Sequence, residues 1–424
     1  MEKLVIEGGK RLAGNVKVSG SKNAALSILV ASLLIKGKTI LYNVPRIGDV
    51  WTMLDMLREL GVKVSVEKEF VEIDASVIEK YEAPYELVKK MRASFNVLGP
   101  VLARCGRARV PLPGGCDIGT RPVDYHLKGL QAMGAEIKME HGYVEAIAPH
   151  LKGTEIYFDF PSVGATCHLA TTAAVAEGIT YIRNAAEEPE IHDLFNFLNN
   201  AGAQIRYIDS REIEIKGVES LKETSYSIMP DRMEAGTFMI AAAITEGDVT
   251  IEGIDPQYLK PVIDKLREVG CEVLEFENAV RVIGRKPIKP TNIVTFPHPG
   301  FPTDMQQPFT ALLTIADGIS MVTETVYDSR FKYLSELARM GADVKVEGRT
   351  AIVKGVPELT GAPVTITDLR AGAALVIAAL AAKGISELSG LENLDRGYED
   401  LEGKLNSLGA SIKRIREESK EWVL

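Results

Sequence analysis

The chain has 424 residues, 46% apolar and 25% charged, with a net charge of −9. That length exceeds what one hydrophobic core usually serves, so two domains of an ordinary globular protein are predicted. The acidic balance disfavours non-specific nucleic-acid binding but leaves room for local basic pockets. The apolar run around Ala371–Ala382 is too short to span a bilayer, and the opening MEKLVIEGGKRL lacks the design of a signal peptide, so a soluble, cytoplasmic protein is expected. Cysteines at 105, 116, 167 and 271 form no CxxC pair, and histidines at 126, 141, 150, 168, 192 and 298 form no HExxH motif. With neither a P-loop nor a GxGxxG turn, no metal and no cofactor are expected.

Read along the chain, one unit recurs six times. A glycine that closes an apolar helix and opens a strand stands at 37 (GKTIL), 106 (GRARV), 178 (GITYI), 247 (GDVTI), 318 (GISMV) and 384 (GISEL), at intervals of 69, 72, 69, 71 and 66 residues. A second glycine follows each by 23–28 residues: LGVKV at Gly61, MGAEI at Gly134, AGAQI at Gly202, VGCEV at Gly270, MGADV at Gly341 and LGASI at Gly409. Glycine just past a helix supplies a left-handed residue at no steric cost, and a β-branched strand then begins. Each unit therefore reads helix, Gly, strand, helix, Gly, strand, usually with one further short strand, as in LRELGVKVSVEKEFVEID at 57–74. The period is too long for TPR, ankyrin or WD40 arrays. Six units split into two domains of three near 215–230, where KGVESLKETSYSIMPD is polar and irregular. The fold class is α/β, built from repeats.

The start of each first helix carries a charge or a small polar residue. In chain order these are Lys22 in SGSKNAAL, Arg92 in KKMRASFN, Ser162 in FPSVGATC, Arg232 in MPDRMEAG, Asp304 in FPTDMQQP and Arg370 in TDLRAGAA. Helix N-termini present unpaired N–H groups and the positive end of the dipole. N-capping accounts for Thr303, Asp304 and Asp368. It does not account for Lys22, Arg92, Arg232 and Arg370, which oppose the dipole at a cost of up to ~1 kcal/mol each. Anions or carboxylates that neutralise them are expected, hence an anion-binding cleft.

GSKNAAL (20–26), MRASF (91–95), PGGCDIGTRPVDYH (113–126), FPSVGAT (160–166), PHPGFPTDMQ (297–306), TETVYDSRF (323–331) and LDRGYEDLEGKL (394–405) occur in order over essentially the whole chain. Together they resemble the UDP-N-acetylglucosamine 1-carboxyvinyltransferase family, enolpyruvyl transferases that open peptidoglycan precursor synthesis. The resemblance implies two inside-out α/β barrel domains, each of three βαβαββ repeats. Residues 21–228 would form the N-terminal domain with the Cys116 loop, and 1–20 with 229–424 the C-terminal one, the active site lying between them. It implies transfer of the enolpyruvyl group of phosphoenolpyruvate to the sugar 3′-OH, with release of phosphate, by addition and elimination through a tetrahedral ketal.

It also implies roles. Cys116, in a mobile loop made by Gly114, Gly115 and Gly119 and close in sequence to Arg121, matches the general acid at the methylene carbon, the residue that fosfomycin alkylates. Cys105, Cys167 and Cys271 read as apolar filler. Asp304, approached through Pro297, Pro299 and Pro302, matches the base for the 3′-OH. Lys22, Arg121, Arg370 and Arg396 match the cations that hold phosphoenolpyruvate, with Lys22 and Arg396 also counted as catalytic, and Asn23 offers an amide N–H. Arg92, the run Arg121, Pro122, Val123, Asp124 and Tyr125, the trio Ser162, Val163 and Gly164, and Asp304 with Val326 match the binding segments for UDP-N-acetylglucosamine. Arg232 and Arg330 match further basic positions, and His126 and His298 are read as supporting hydrogen-bonding groups. Phe160 stands where some members carry a lysine.

Three other readings share some of these features. The sister family, 5-enolpyruvylshikimate-3-phosphate synthase, resembles GSKS where this chain has GSKN and lacks a PGGC loop. A non-catalytic binding paralogue would be expected to have lost Cys116, Asp304 or a cation. A redox-sensing thiol protein would want a resolving cysteine, for which Cys105 is the sequence-near choice.

Overall fold

The structure, a computed structural model, describes residues 2–113, 123–328 and 330–416. They form two compact units, an N-terminal one of residues 20–113 and 123–229 and a C-terminal one of residues 2–19 and 230–416. Each is built around apolar helices: Lys22–Ala31, Leu98–Cys105 and Val163–Ala173 in the first, and Arg232–Ile244, Thr303–Leu313 and Leu369–Ala381 in the second. Leu369–Ala381 (LRAGAALVIAALA) is apolar on every face, as a helix enclosed by its neighbours must be, and all but its last residue are buried. Small residues let the helices approach closely: a Cβ on Gly236 would fall 2.3 Å from Met305 Sδ.

The strands cover these helices as separate small sheets, alternating buried and exposed positions as sheets with one solvated face do. The middle repeat of the C-terminal unit shows the plan. Its strands run in the order 293–294, 319–323, 350–354, 343–347; the first pair is parallel across the buried helix, and the rest are antiparallel. The outer helix Tyr333–Arg339 joins the second strand to the hairpin. That is one βαβαββ unit, and the other sheets follow the plan, 107–111, 143–147 and 136–140 forming a three-stranded version.

The second glycine of every repeat adopts the left-handed conformation, with φ between 90° and 102° at Gly61, Gly134, Gly202, Gly270, Gly341 and Gly409. The first marker departs once: at the fourth repeat Glu246, with φ of 52°, takes the left-handed turn before Gly247. Two other expectations are revised. The polar stretch at 216–231 is not irregular throughout, because Thr224–Ser227 forms a strand parallel to Lys38–Tyr42 and completes the sheet of the first repeat. And Arg92 opens a 3₁₀ segment, Arg92–Val97, which runs into the buried helix Leu98–Cys105.

Candidate active site

In the N-terminal unit, Ser21 caps the helix Lys22–Ala31, its hydroxyl accepting from the Ala24 N–H at 3.3 Å. Lys22, the first helical residue, reaches Asp49 in the first turn of the helix Gly48–Glu59, with Nζ 3.0 Å from Oδ2. A carboxylate thus offsets the misplaced cation, as the sequence argument requires. Asn23 is half-buried beside it, and Arg92 is half-buried at the start of its segment. Ser162 caps Val163–Ala173, its hydroxyl accepting from the Ala165 N–H at 3.2 Å; Val163 is exposed and Gly164 half-buried. Tyr125 packs its ring 5.1 Å from that of Phe158 and accepts the Phe160 N–H at 3.1 Å, so the 123–126 and 158–164 segments are held together. Asp124 is exposed and Val123 half-buried at the start of the helix Asp124–Ala132.

Behind Gly164 stands a pair of histidines. The Gly99 N–H donates to His168 Nε2 at 2.8 Å, so His168 carries its proton on Nδ1. That proton goes to His126 Nδ1, 2.9 Å away, which leaves His126 with an Nε2–H. A Cβ on Gly164 would lie 3.7 Å from this nitrogen, so a neutral donor flanks the helix start. Burial holds both rings neutral: it lowers His168 to about 3, and with His168 and Arg92 nearby it lowers His126 well below the usual range.

In the C-terminal unit, Asp304 does not cap its helix. Pro302 occupies the cap position without a side-chain bond, and Asp304 sits in the first turn. Its carboxylate lies between two buried guanidiniums. Arg330 Nη2 donates to Oδ1 at 2.7 Å, and Arg370 Nε to Oδ2 at 3.2 Å. For each arginine, burial opposes the charge and the neighbouring groups, Asp304 among them, outweigh it, so both are held above the ordinary arginine range. Arg370 Nη1 also donates to Tyr398 Oη at 3.0 Å, and Tyr398 stands 2.8 Å from Thr237. Asp368 caps its own helix, accepting from the Arg370 and Ala371 N–H groups at 3.0 Å each. Asp231 caps Arg232–Ile244, with Arg232 buried as its first residue. The helices that begin at 232, 303 and 369 are thus joined through Tyr398, which meets the first at Thr237, and through Arg370 and Asp304. Val326 is half-buried, its N–H bonded to Glu324 at 2.8 Å; Arg396 is half-buried, and His298 is half-buried on the segment before Asp304.

Cys116, Arg121 and Pro122 lie outside the described residues. Of the other cysteines, 167 and 271 are buried, and burial raises their thiols to about 12 and about 11, which suits inert filler. Cys105 is exposed rather than enclosed, and burial of its thiol still raises it. Asp49, His168, Tyr398 and Glu324 belong to these networks and were not singled out from the sequence. Tyr398 and Glu324 fall inside matched motifs, which was their signal; nothing local marks Asp49 or His168.

Residues 6–405 match the family of EPSP synthase (3-phosphoshikimate 1-carboxyvinyltransferase). The chain is 54% identical to UDP-N-acetylglucosamine 1-carboxyvinyltransferase 2 of Carboxydothermus hydrogenoformans, over 98% of this chain and all of that protein. It is 52% identical to UDP-N-acetylglucosamine 1-carboxyvinyltransferase of Desulfosudis oleivorans, with the same coverage of 98% and 100%. The chain belongs to the UDP-N-acetylglucosamine 1-carboxyvinyltransferase family, within the wider EPSP synthase family. It is a transferase. Its fold is similar to that of the enolpyruvyl transferase NikO from Streptomyces tendae, with a TM-score of 0.88 at 26% identity over 97% of this chain and 98% of that one. The α/β class expected from the repeats and the two-domain enolpyruvyl transferase fold implied by the resemblance agree with this likeness. Among the described residues no helix is long and apolar enough to cross a membrane.

Proposed function

We propose that the chain transfers the enolpyruvyl group of phosphoenolpyruvate to the 3′-OH of UDP-N-acetylglucosamine, in the cytoplasm, as the first committed step of peptidoglycan precursor synthesis. One observation carries the assignment of roles: Asp304 is a carboxylate fixed at a helix start by two buried arginines, one on each oxygen. A carboxylate is an acceptor, with about four lone-pair positions in all, which suits it to take a hydroxyl proton. In addition, Asp304 takes the proton of the sugar 3′-OH as its oxygen bonds to C2 of phosphoenolpyruvate, while Cys116 delivers a proton to C3. In elimination the C3 proton is removed, the C2–O bond to phosphate breaks, and the double bond re-forms.

Lys22, Asn23, Arg121, Arg370 and Arg396 are assigned to phosphoenolpyruvate, where arginine forks suit phosphate and carboxylate. Arg92, Arg121, Pro122, Val123, Asp124, Tyr125, Ser162, Val163, Gly164 and Val326 are assigned to the sugar nucleotide. The cap at Ser162 and the neutral N–H donor of His126 beside Gly164 favour an anion such as the diphosphate there.

Phosphate release from phosphoenolpyruvate tests this, with UDP-N-acetylglucosamine, with shikimate 3-phosphate, or with neither. Release is expected only with the sugar nucleotide, and Cys116→Ser and Asp304→Asn are each expected to lower kcat by about 100-fold or more. Release only with shikimate 3-phosphate would move the chain to the sister activity, and none with either acceptor would leave a binding protein.

A further inference from the structure

The TETVYDSRF segment contributes more than Val326. Glu324 is fully buried, a position a carboxylate occupies only when its charge is well compensated. Four donors converge on it. Oε1 accepts from the Val326 N–H at 2.8 Å, the Tyr327 N–H at 3.2 Å and the Thr295 hydroxyl at 2.8 Å, and Oε2 accepts from the Thr303 hydroxyl at 2.8 Å. The direction of each hydroxyl is fixed by chemistry. Arg330 Nη1 can only donate, and it lies 2.7 Å from Thr303 Oγ1, so the Thr303 proton must point to Glu324. The Thr325 N–H donates to Thr295 Oγ1 at 2.9 Å, which turns the Thr295 proton to Glu324 as well. The result is a line of alternating charge, buried at Glu324, Arg330 and Arg370 and half-buried at Thr303 and Asp304: Glu324, then Arg330 through Thr303, then Asp304, then Arg370.

We propose that Glu324 is a positioning residue with two arms, one fixing Asp304 through Thr303 and Arg330, the other fixing the 325–327 backbone against the sugar nucleotide through Thr295. The proposal rests on the reading of Asp304 as the base. The first arm sets where the carboxylate stands relative to the hydroxyl it deprotonates, so it acts on kcat. The second sets the backbone beside the nucleotide, so it acts on KM.

The two arms separate by near-isosteric substitution. Thr303→Val removes the acceptor for Arg330 and one donor to Glu324, and is expected to lower kcat by on the order of 10- to 100-fold with little change in KM. Thr295→Val is expected to raise KM for UDP-N-acetylglucosamine roughly 5-fold, the worth of one hydrogen bond, with kcat kept. Glu324→Gln, whose amide cannot accept at both ends, should show both effects, and Thr303→Ser should restore kcat. Should Glu324→Gln fail to fold, the two threonine variants carry the test alone. Parental kcat in Thr303→Val beside an inactive Asp304→Asn would overturn the proposal and leave the base intact. So would both threonine variants losing kcat and KM together in step with their melting temperatures. An active Asp304→Asn would instead remove the base, and the proposal with it.

Discussion

His168 stays neutral because neither ring nitrogen has an anion to share a second proton with. Nε2 already accepts the Gly99 N–H, Nδ1 faces another histidine, and burial removes the water that would stabilise an imidazolium. The linkage sign follows from a folded value of about 3 set against 6.5 for the free group. The unfolded chain binds the extra proton first, so stability is intact above about pH 6.5 and falls as the pH drops toward 3. At full extent that displacement corresponds to roughly 5 kcal/mol. Urea unfolding at pH 7, 6, 5 and 4 should give a shallower acid slope for His168→Asn than for the parent, and equal slopes would contradict this account. Residues of this kind mark the limit of what the sequence discloses. Lys22 and Arg370 were legible because a cation at a helix start is anomalous by itself, and Asp304 because it stands in the matched segment PHPGFPTDMQ. Their pairings were not: Asp49, which meets Lys22, carries no mark in the sequence, and Arg330, a matched basic position, gives no sign there that it meets Asp304, because a single sequence carries no record of contacts between elements.

At the scale of the elements, the glycine markers carried the fold. A left-handed residue after a helix leaves a visible trace because glycine adopts it without strain, whereas a strand four residues long inside a polar stretch leaves none; Thr224–Ser227 was missed for that reason. The substitution for Arg92 of a 3₁₀ segment for an α-helix start was hidden similarly, since both conformations accept the same residues. Two glycines separate conformational strain from crowding. Gly202 has a φ of 101° with nothing within 4 Å of a would-be Cβ, so Gly202→Ala meets strain alone and should cost about 1–2 kcal/mol. Gly217 has no such φ, but a Cβ there would fall 1.5 Å from the Ala176 carbonyl oxygen, so Gly217→Ala must displace backbone and should cost about 3 kcal/mol or more. Urea midpoints rank the two; a Gly202→Ala protein as stable as the parent would mean that position 202 does not hold the left-handed turn.

At the scale of the whole molecule, the chain order of the C-terminal unit is rotated relative to its repeats. The strand Glu2–Glu7 lies between 385–389 and 411–416, where the second hairpin strand of the last repeat belongs, and Ala13–Lys17 pairs in parallel with 248–252 as the first strand of the first repeat. The N-terminal unit is therefore inserted between the first strand and the first helix of the other. Its own first strand comes last in its sequence, at 224–227, so it contains every strand of its own sheets. A polypeptide of residues 20–229 is thus expected to fold alone with a cooperative thermal transition. Residues 230–424 alone are not, because the sheet of their last repeat would lose a central strand and expose two new edges. The remedy is written in the register. Glu2 pairs with Arg416 as Glu347 pairs with Thr350 in the preceding repeat, where Gly348 and Arg349 close the hairpin. Joining residue 416 to residue 2 through a two-residue Asn-Gly turn should restore that hairpin, so a chain running 230–416 and then 2–19 is expected to melt cooperatively. Circular dichroism melts of the three polypeptides decide it: if 230–424 alone melts as sharply as the permuted chain, the strand Glu2–Glu7 is an accessory to the unit and not part of its core.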